Sequence, residues 1–345
     1  MSDPRRLVLE TEPFNAEVPL TEVARAPGEG ALFVRSHFPM PDLDDTSHVV
    51  HVRGAVARPR AWSLADLRSR PSSRLAVTLE CAGNGRSLVE PKPPGTPWKL
   101  GATGSAVFEG VFLQELLDES GPAHDAVEVL ATGADRGKVA SGSVVFFERS
   151  LPLAALRRSE VLVAHTMNGV PLAPEHGAPV RLVVPGWYGV ASVKWLTHLE
   201  VLRAPFTGWF QRSTYVYDGE AGLPRGTPVG PMRVRALITS PGEGAALPHG
   251  PVTVSGAAWS GSGPVVAVAL SADEGASWSP VQLDAEDGPW LRRLWRGTWT
   301  PPAPGTYTLL ARATDGTGAT QPLTPVWNRL GYGNNAVHRV GVTVL

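Results

Sequence analysis

The chain has 345 residues, 43% hydrophobic and 18% charged, enough for two domains with sizeable cores. Its 31 basic residues nearly balance 32 acidic ones, for a formal net charge of −1, so composition supplies no footprint for nucleic acid or an anionic membrane surface. A single cysteine excludes intramolecular disulfides, Cys-rich zinc sites, iron–sulfur clusters and c-type haem attachment.

The first residues include Arg5 and Arg6 but no apolar run behind them, and Glu10, Glu12 and Glu17 follow. That order does not fit a secretory leader, and no apolar stretch approaches the 18 residues of a membrane span. The expectation is a cytoplasmic protein, or a periplasmic one had a leader been removed. Residues 1–32, rich in Pro, Glu and Gly, predict an extended arm. At 32–41 an apolar run enters and two prolines leave, which places Arg35 and His37 on one side of a strand edge. Taken alone, they read as a solvated arginine and a surface histidine. A strand follows over 48–54. Ser63 and Asp66 form a capping box opening a short helix.

Residues 75–80 alternate apolar and β-branched side chains and predict a buried strand. It delivers Cys81 to a loop of small residues, Cys81-Ala-Gly-Asn84-Gly85-Arg86-Ser87. A thiol there is either inert filler or a working thiolate. The abrupt polarity, the glycines and the charge of Arg86 favour the second. Trp98 sits among small residues, and a tryptophan is most often core. Residues 111–120 predict an amphipathic helix with Leu113, Leu116 and Leu117 on one stripe and Gly121 as its stop. Strands over 126–130 and 144–147 flank a polar loop at 135–143 that carries Asp135.

Asn168-Gly169 between apolar runs predicts a hairpin within 161–172. The strand over 180–184 contains Arg181, which is costly to bury without an anionic partner. His176, Arg181, Ser192 and Lys194 form a set of donors suited to a phosphate group. The alternative is a set of structural ion pairs to Glu175, Glu200 or Asp135. Residues 205–231 read as a connector rich in Pro and Gly. Beyond it come short alternating strands with Gly/Pro/Ser turns, and six of the eleven tryptophans fall there, which argues for a β-sandwich.

Five segments of the sequence share one resemblance. They are Arg35-Ser36-His37-x-Pro; Cys81-Ala-Gly-Asn84-x-Arg86; His176-Gly-x-Pro-x-Arg181; Gly189-x-x-Ser192-Val193-Lys194-Trp; and the Trp327-Asn328 element. Together they resemble the sulfite oxidase family of molybdopterin oxidoreductases, in its bacterial type without a haem domain, from about Phe33 to the end. The resemblance implies an α+β protein: a mixed α/β molybdopterin-binding catalytic domain at 33–204, then an all-β immunoglobulin-like dimerisation domain at 232–345. It implies a molybdenum–molybdopterin cofactor, no haem in this chain, and Cys81 as the protein's ligand to the metal. Phe33, Val34, Arg35, Ser36, His37, Asp135, His176, Arg181, Ser192, Val193 and Lys194 would bind the pterin and its phosphate. Arg35 and Arg86 would face the substrate anion, and Trp98 would line its pocket. His165 stands where many members carry a tyrosine before the Met-Asn-Gly turn and would donate to the oxyanion in its place, and Tyr188, in a Gly-Trp-Tyr-Gly loop of bacterial type, would stand near the pocket as a further catalytic residue. Eukaryotic members read Trp-Asn-Leu-Arg-Gly near the C-terminus; here the order is Arg329-Leu330.

A lone thiolate leaves most of a metal's coordination sphere to other ligands, which the pterin would provide. The expected reaction is oxidation of sulfite to sulfate, with electrons passed to an external acceptor such as a cytochrome and a homodimer formed through the C-terminal domain. Two other readings remain: a reductase of nitrate or a sulfoxide, and a cofactor-free binding protein retaining the fold.

Overall fold

The computed structural model describes residues 3–156 and 160–345. Two five-stranded sheets build the first half. One runs Val170–Pro171, Leu162–Met167, Thr103–Phe112, Ser73–Glu80, with Arg181–Val183 also paired to Leu162–Met167, all antiparallel. The other runs Arg60–Ser63, Val49–Gly54, Leu196–Leu202, Glu128–Lys138, Val144–Pro152, with Val49–Gly54 and Leu196–Leu202 parallel. Val50, Val52, Val163, Leu182 and Leu199 pack with Leu113, Leu116 and Leu117 in one core. That leucine stripe belongs to the helix Leu113–Ser120, closed by Gly121 at φ +67°. The helix begins later than the periodicity predicts because Val111 and Phe112 pair with Val163 and Leu162 as strand. The capping box at Ser63 forms with both of its hydrogen bonds. Asn168 and Gly169 both take positive φ, as a tight hairpin turn requires.

Two expectations change. Residues 3–32 do not form an extended arm, and the first two residues of the expected arm lie outside the described residues. Leu7–Thr11 and Phe14–Glu17 make a hairpin, and Leu20–Val23 a short helix. Phe14–Glu17 pairs in turn with Val34–Arg35, because Asn15, Ala16 and Glu17 are buried against the rest of the chain. The polar loop is also shorter: the strands run in to Lys138 and out from Val144. Asp135 therefore lies in a strand, at a register break between Thr132 and Arg136, where a bulge re-aims the side chain.

The second half is a sandwich of a four-stranded and a five-stranded sheet, with Val254, Trp295, Leu309 and Val340 between them. The connector is packed, not open. It holds the helix Trp209–Arg212 and the paired segments Val216–Tyr217 and Thr227–Pro228. Buried Arg149 donates to the Phe210 and Val229 carbonyls. Tyr188, Phe210, Tyr215, Trp259 and Tyr332 then fill the junction of the two halves. Among the described residues no helix is long and apolar enough to cross a membrane.

Candidate active site

The strand Ser73–Glu80 ends at Cys81, which sits at a cleft with about 720 Å³ of space between atoms. The cleft brings together Phe33, Val34, Arg35, Ser36, His37, Cys81, Asp135, His176, Arg181, Ser192 and Lys194. They come from the Val34–Arg35 edge, the Cys81 loop, the bulge at Asp135 and the segment around Arg181–Val183, elements far apart in sequence that the two sheets converge upon.

One end of the cleft is basic and buried. Arg181 donates to the His176, Ser192 and Leu182 carbonyls at 2.9, 3.2 and 3.4 Å. Lys194 Nζ donates to Ser36 Oγ and the Glu175 carbonyl, both at 2.9 Å. Two of the three candidate carboxylates are engaged elsewhere, Glu175 with Arg6 and Glu200 with Arg53, and the third, Asp135, acts on Lys194 by its charge rather than on Arg181. The structural ion pairs weighed above are therefore not what holds Arg181. Burial pushes Lys194 well below its usual range, and the charge of Arg181 adds to the effect. Burial brings Arg181 down to about 10 and pushes His176 well down, with Arg6, Arg181 and Lys194 adding to it. Such a cluster is suited to an anion, which would restore the charged forms.

Arg35 and His37 line the same cleft, on either side of the Ser36 that Lys194 holds. Arg35 Nη1 donates to Asn15 Oδ1 at 3.1 Å and the Ser36 carbonyl at 2.8 Å, and its Nη2 lies 3.2 Å from His37 Nδ1. An arginine there must donate, so Nδ1 accepts and the neutral imidazole carries its proton on Nε2. Burial and the Arg35 charge bring the His37 pKa down to about 3. Burial raises the Cys81 thiol, with the Arg35 charge opposing.

Five expected residues do not line the cleft. Trp98 is fully buried and meets the Phe33 ring edge-on at 6.5 Å, backing the wall from behind. His165 sits at a register shift between Ala164 and Thr166, and its ring bonds Thr166 Oγ1 at 2.9 Å. Tyr188 is buried at the junction of the two halves, where its hydroxyl accepts from the Arg233 amide at 3.3 Å. Val193 faces the core between the sheets. Arg86 donates to the Thr96 and Leu330 carbonyls at 3.0 and 3.1 Å and lies over the Tyr332 ring. It braces the Cys81 loop, and a side chain on Gly83 would come within 2.9 Å of it. Arg329 turns away to Asp218.

Three residues went unread. Tyr215, from the connector, lines the cleft with its hydroxyl near the Arg35 guanidinium. Its only signal is an aromatic pair, Tyr215 and Tyr217, in an otherwise turn-rich stretch. Arg6 reaches 2.7 Å from His176 Nε2, and Asn15 bonds both Arg35 and the Ser36 amide. Nothing local marks either, since each partner is distant in sequence.

Comparison with known proteins agrees with this geometry. Residues 37–210 match the family described as "Oxidoreductase molybdopterin binding domain", and 228–345 match "Mo-co oxidoreductase dimerisation domain". The chain is 36% identical to mitochondrial sulfite oxidase of Homo sapiens, over 99% of this chain and 66% of that protein. It is 35% identical to sulfite oxidase of Gallus gallus, over 95% of this chain and 76% of that one. The chain thus spans about two thirds of the length of the human relative. The sulfane dehydrogenase SoxCD from Paracoccus pantotrophus superposes with a TM-score of 0.80, covering 99% of this chain and 85% of that one at 26% identity. The fold and cleft are those of a molybdopterin-binding oxidoreductase, and the chain belongs to the sulfite oxidase family.

The residues present fit that family's cofactor. Among the described residues Asp135 Oδ1 is a buried acceptor with no hydrogen-bond partner, and burial raises its carboxyl to about 7, against the pull of Lys194. A pterin carries N–H donors that such an oxygen would take, while Arg181, His176 and Lys194 suit its phosphate. Among the described residues no group of three or more His, Cys, Asp or Glu is placed to hold a metal. A metal at Cys81 would therefore bring its other ligands with it.

Proposed function

We propose that this protein oxidises sulfite to sulfate, taking one water and releasing two protons and two electrons per turnover. The observation that carries the reading is the cleft itself: one thiol, one basic cluster suited to a phosphate, and Arg35 with Tyr215 close to the thiol. When bound, molybdenum supplies two-electron redox chemistry and oxygen transfer. The chain's own residues do the rest. Arg35 and the Tyr215 hydroxyl bind and orient the oxyanion. His37 Nε2–H offers a further donor. The rings of Phe147 and Trp195 bound the cleft and limit water. The electrons leave to an external acceptor such as a cytochrome, and two copies associate through the second domain, whose match to a dimerisation domain supports that reading.

One observation favours a second reading. Leu330 replaces a guanidinium and Arg86 is held by carbonyls, so of the two arginines lining the cleft, Arg35 and Arg181, Arg35 is the one whose charge acts on Cys81. That suits a sulfur substrate of lower charge than sulfite, such as a sulfane sulfur. Molybdenum analysis, then steady-state oxidation of sulfite and of a sulfane donor with ferricyanide, separates the two. Protein with near-stoichiometric molybdenum that turns over neither, but reduces nitrate with reduced viologen, overturns both. Absence of molybdenum after expression in a cofactor-competent host points to the binding-protein alternative.

A further inference from the structure

The Cys81 loop is held from outside its own domain. The strand before it ends on Glu80, whose carboxylate is completely buried. A buried carboxylate is costly unless it is paired and hydrogen-bonded. Two of its partners come from the C-terminal sandwich: Arg235 Nε lies 3.0 Å from Oε1, and Trp259 Nε1 donates to Oε2 at 2.9 Å. The third is local, Asn84 Nδ2 donating to Oε1 at 3.0 Å. The contact with Arg235 is coulombic, because its Nε–H is not aimed along it. The same guanidinium donates through Nη2 to the Asn84 carbonyl at 3.3 Å. One arginine of the second domain thus touches the residue before the cysteine and the residue three after it.

The grip continues along the loop. The Gly333 amide donates to the Ala82 carbonyl and Asn334 Nδ2 to the Gly85 carbonyl, both at 2.8 Å. The first domain holds the loop's other face, where the Cys81, Gly85 and Ser87 amides donate to the Ala102, Lys99 and Trp98 carbonyls at 2.8, 2.5 and 3.1 Å, while the glycines at 83 and 85 add no stiffness of their own. On the face toward Gly333 and Asn334 the loop's shape is imposed by a neighbouring domain. Dimerisation would not require a buried ion pair next to the metal's ligand.

We propose that Arg235 and Trp259, acting through Glu80, are positioning residues that hold Cys81 where the metal must meet it, so that the second domain is part of the metal site's framework. The proposal rests on the family assignment of Cys81 as the metal ligand. Replacing Arg235 leaves the Glu80 carboxylate buried without its counter-charge and frees the Asn84 carbonyl. Making both partners neutral restores a hydrogen-bonding pair of similar shape.

The test compares the parent with Arg235→Gln, Trp259→Phe and the double variant Glu80→Gln/Arg235→Gln. In cofactor-free protein, the rate of Cys81 alkylation by iodoacetamide reads loop opening directly. In loaded protein, molybdenum content after gel filtration and the Mo(V) EPR spectrum read the metal's seat. Arg235→Gln is expected to alkylate about tenfold faster, equivalent to about 1.4 kcal/mol in the opening equilibrium. It should also lose molybdenum and shift the spectrum, while the double variant returns near the parent. Trp259→Phe should show the same changes in smaller degree, and it decides the matter if Arg235→Gln does not fold. Parent-like alkylation and spectra in Arg235→Gln and Trp259→Phe overturn the proposal, as does faster alkylation that only follows global melting. A parent protein that binds no molybdenum at all refutes the functional reading instead, and the alkylation rates still decide whether the clamp exists.

Discussion

Arg6 shows how much one side chain can contribute from a distance. Its side chain is 5% exposed and touches Glu175, His176 and the Leu32 carbonyl together. Because it donates to His176 Nε2, the imidazole must keep its proton on Nδ1. Arg6→Leu removes charge-assisted hydrogen bonds of about 1.5–3 kcal/mol, so cofactor retention should fall about ten- to a hundredfold. Pterin and molybdenum content after gel filtration checks this; the cofactor-free protein should also melt lower than the parent, because the same bonds are made without cofactor. Tyr215 makes the converse case. Tyr215→Phe keeps the ring in its stack with Tyr332 at 5.0 Å and removes only the hydroxyl near Arg35. Cofactor content should stay unchanged, while kcat/KM for the oxyanion should fall by about ten- to a hundredfold. Steady-state kinetics against metal content separates the two effects.

Segments between the regular strands carry the site. The connector supplies Tyr215 only because Arg149 fastens it. That guanidinium is buried, its pKa brought down to about 10 by burial, and it satisfies two carbonyls of the connector. Arg149→Met fills similar space but orphans both acceptors, at about 2–4 kcal/mol. Urea denaturation should show that loss, and fluorescence of the neighbouring Trp209 should report loosening before global unfolding. The N-terminal hairpin plays the same part on the other wall. Its Asn15 side chain aligns Arg35 and Ser36, and the Val18 carbonyl passes so close to Gly101 that a Cβ there would lie 1.9 Å away. Glycine is required at that crossing for close approach, not for an unusual φ.

The two halves act as one body at the metal loop, and their stability should depend on pH through groups buried where they fold. His338 accepts from the Ile238 amide at 3.0 Å, which only the neutral ring can do on that nitrogen. Burial, with Arg235 adding, brings its pKa to about 4. The unfolded chain takes up a proton near pH 6.5 that the folded chain refuses until about pH 4. Stability is therefore fully present above 6.5 and is lost as pH falls through that window. By pH 5 the loss should reach about 2 kcal/mol. His338→Gln keeps an acceptor and removes the titration. Urea midpoints at pH 7 and pH 5 should differ less in the variant than in the parent by that amount. Equal pH dependence would show that His338 titrates normally in the fold.

Local chemistry made much of this protein legible in advance. The strand into Cys81, the leucine stripe, the capping box and the Asn168-Gly169 turn depend on periodicity and on backbone preferences that a few neighbouring residues set. The donors at His176, Arg181, Ser192 and Lys194 could be read because they crowd one short segment. Arg6, Asn15, Tyr215 and the Arg235–Glu80 contact could not, because their partners lie far along the chain and only the packing of sheets brings them together. The same packing removed His165, Tyr188 and Trp98 from the cleft. A bulge, a domain junction and a buried ring plane decide where each side chain points, and none of these is a property of the residues next to it.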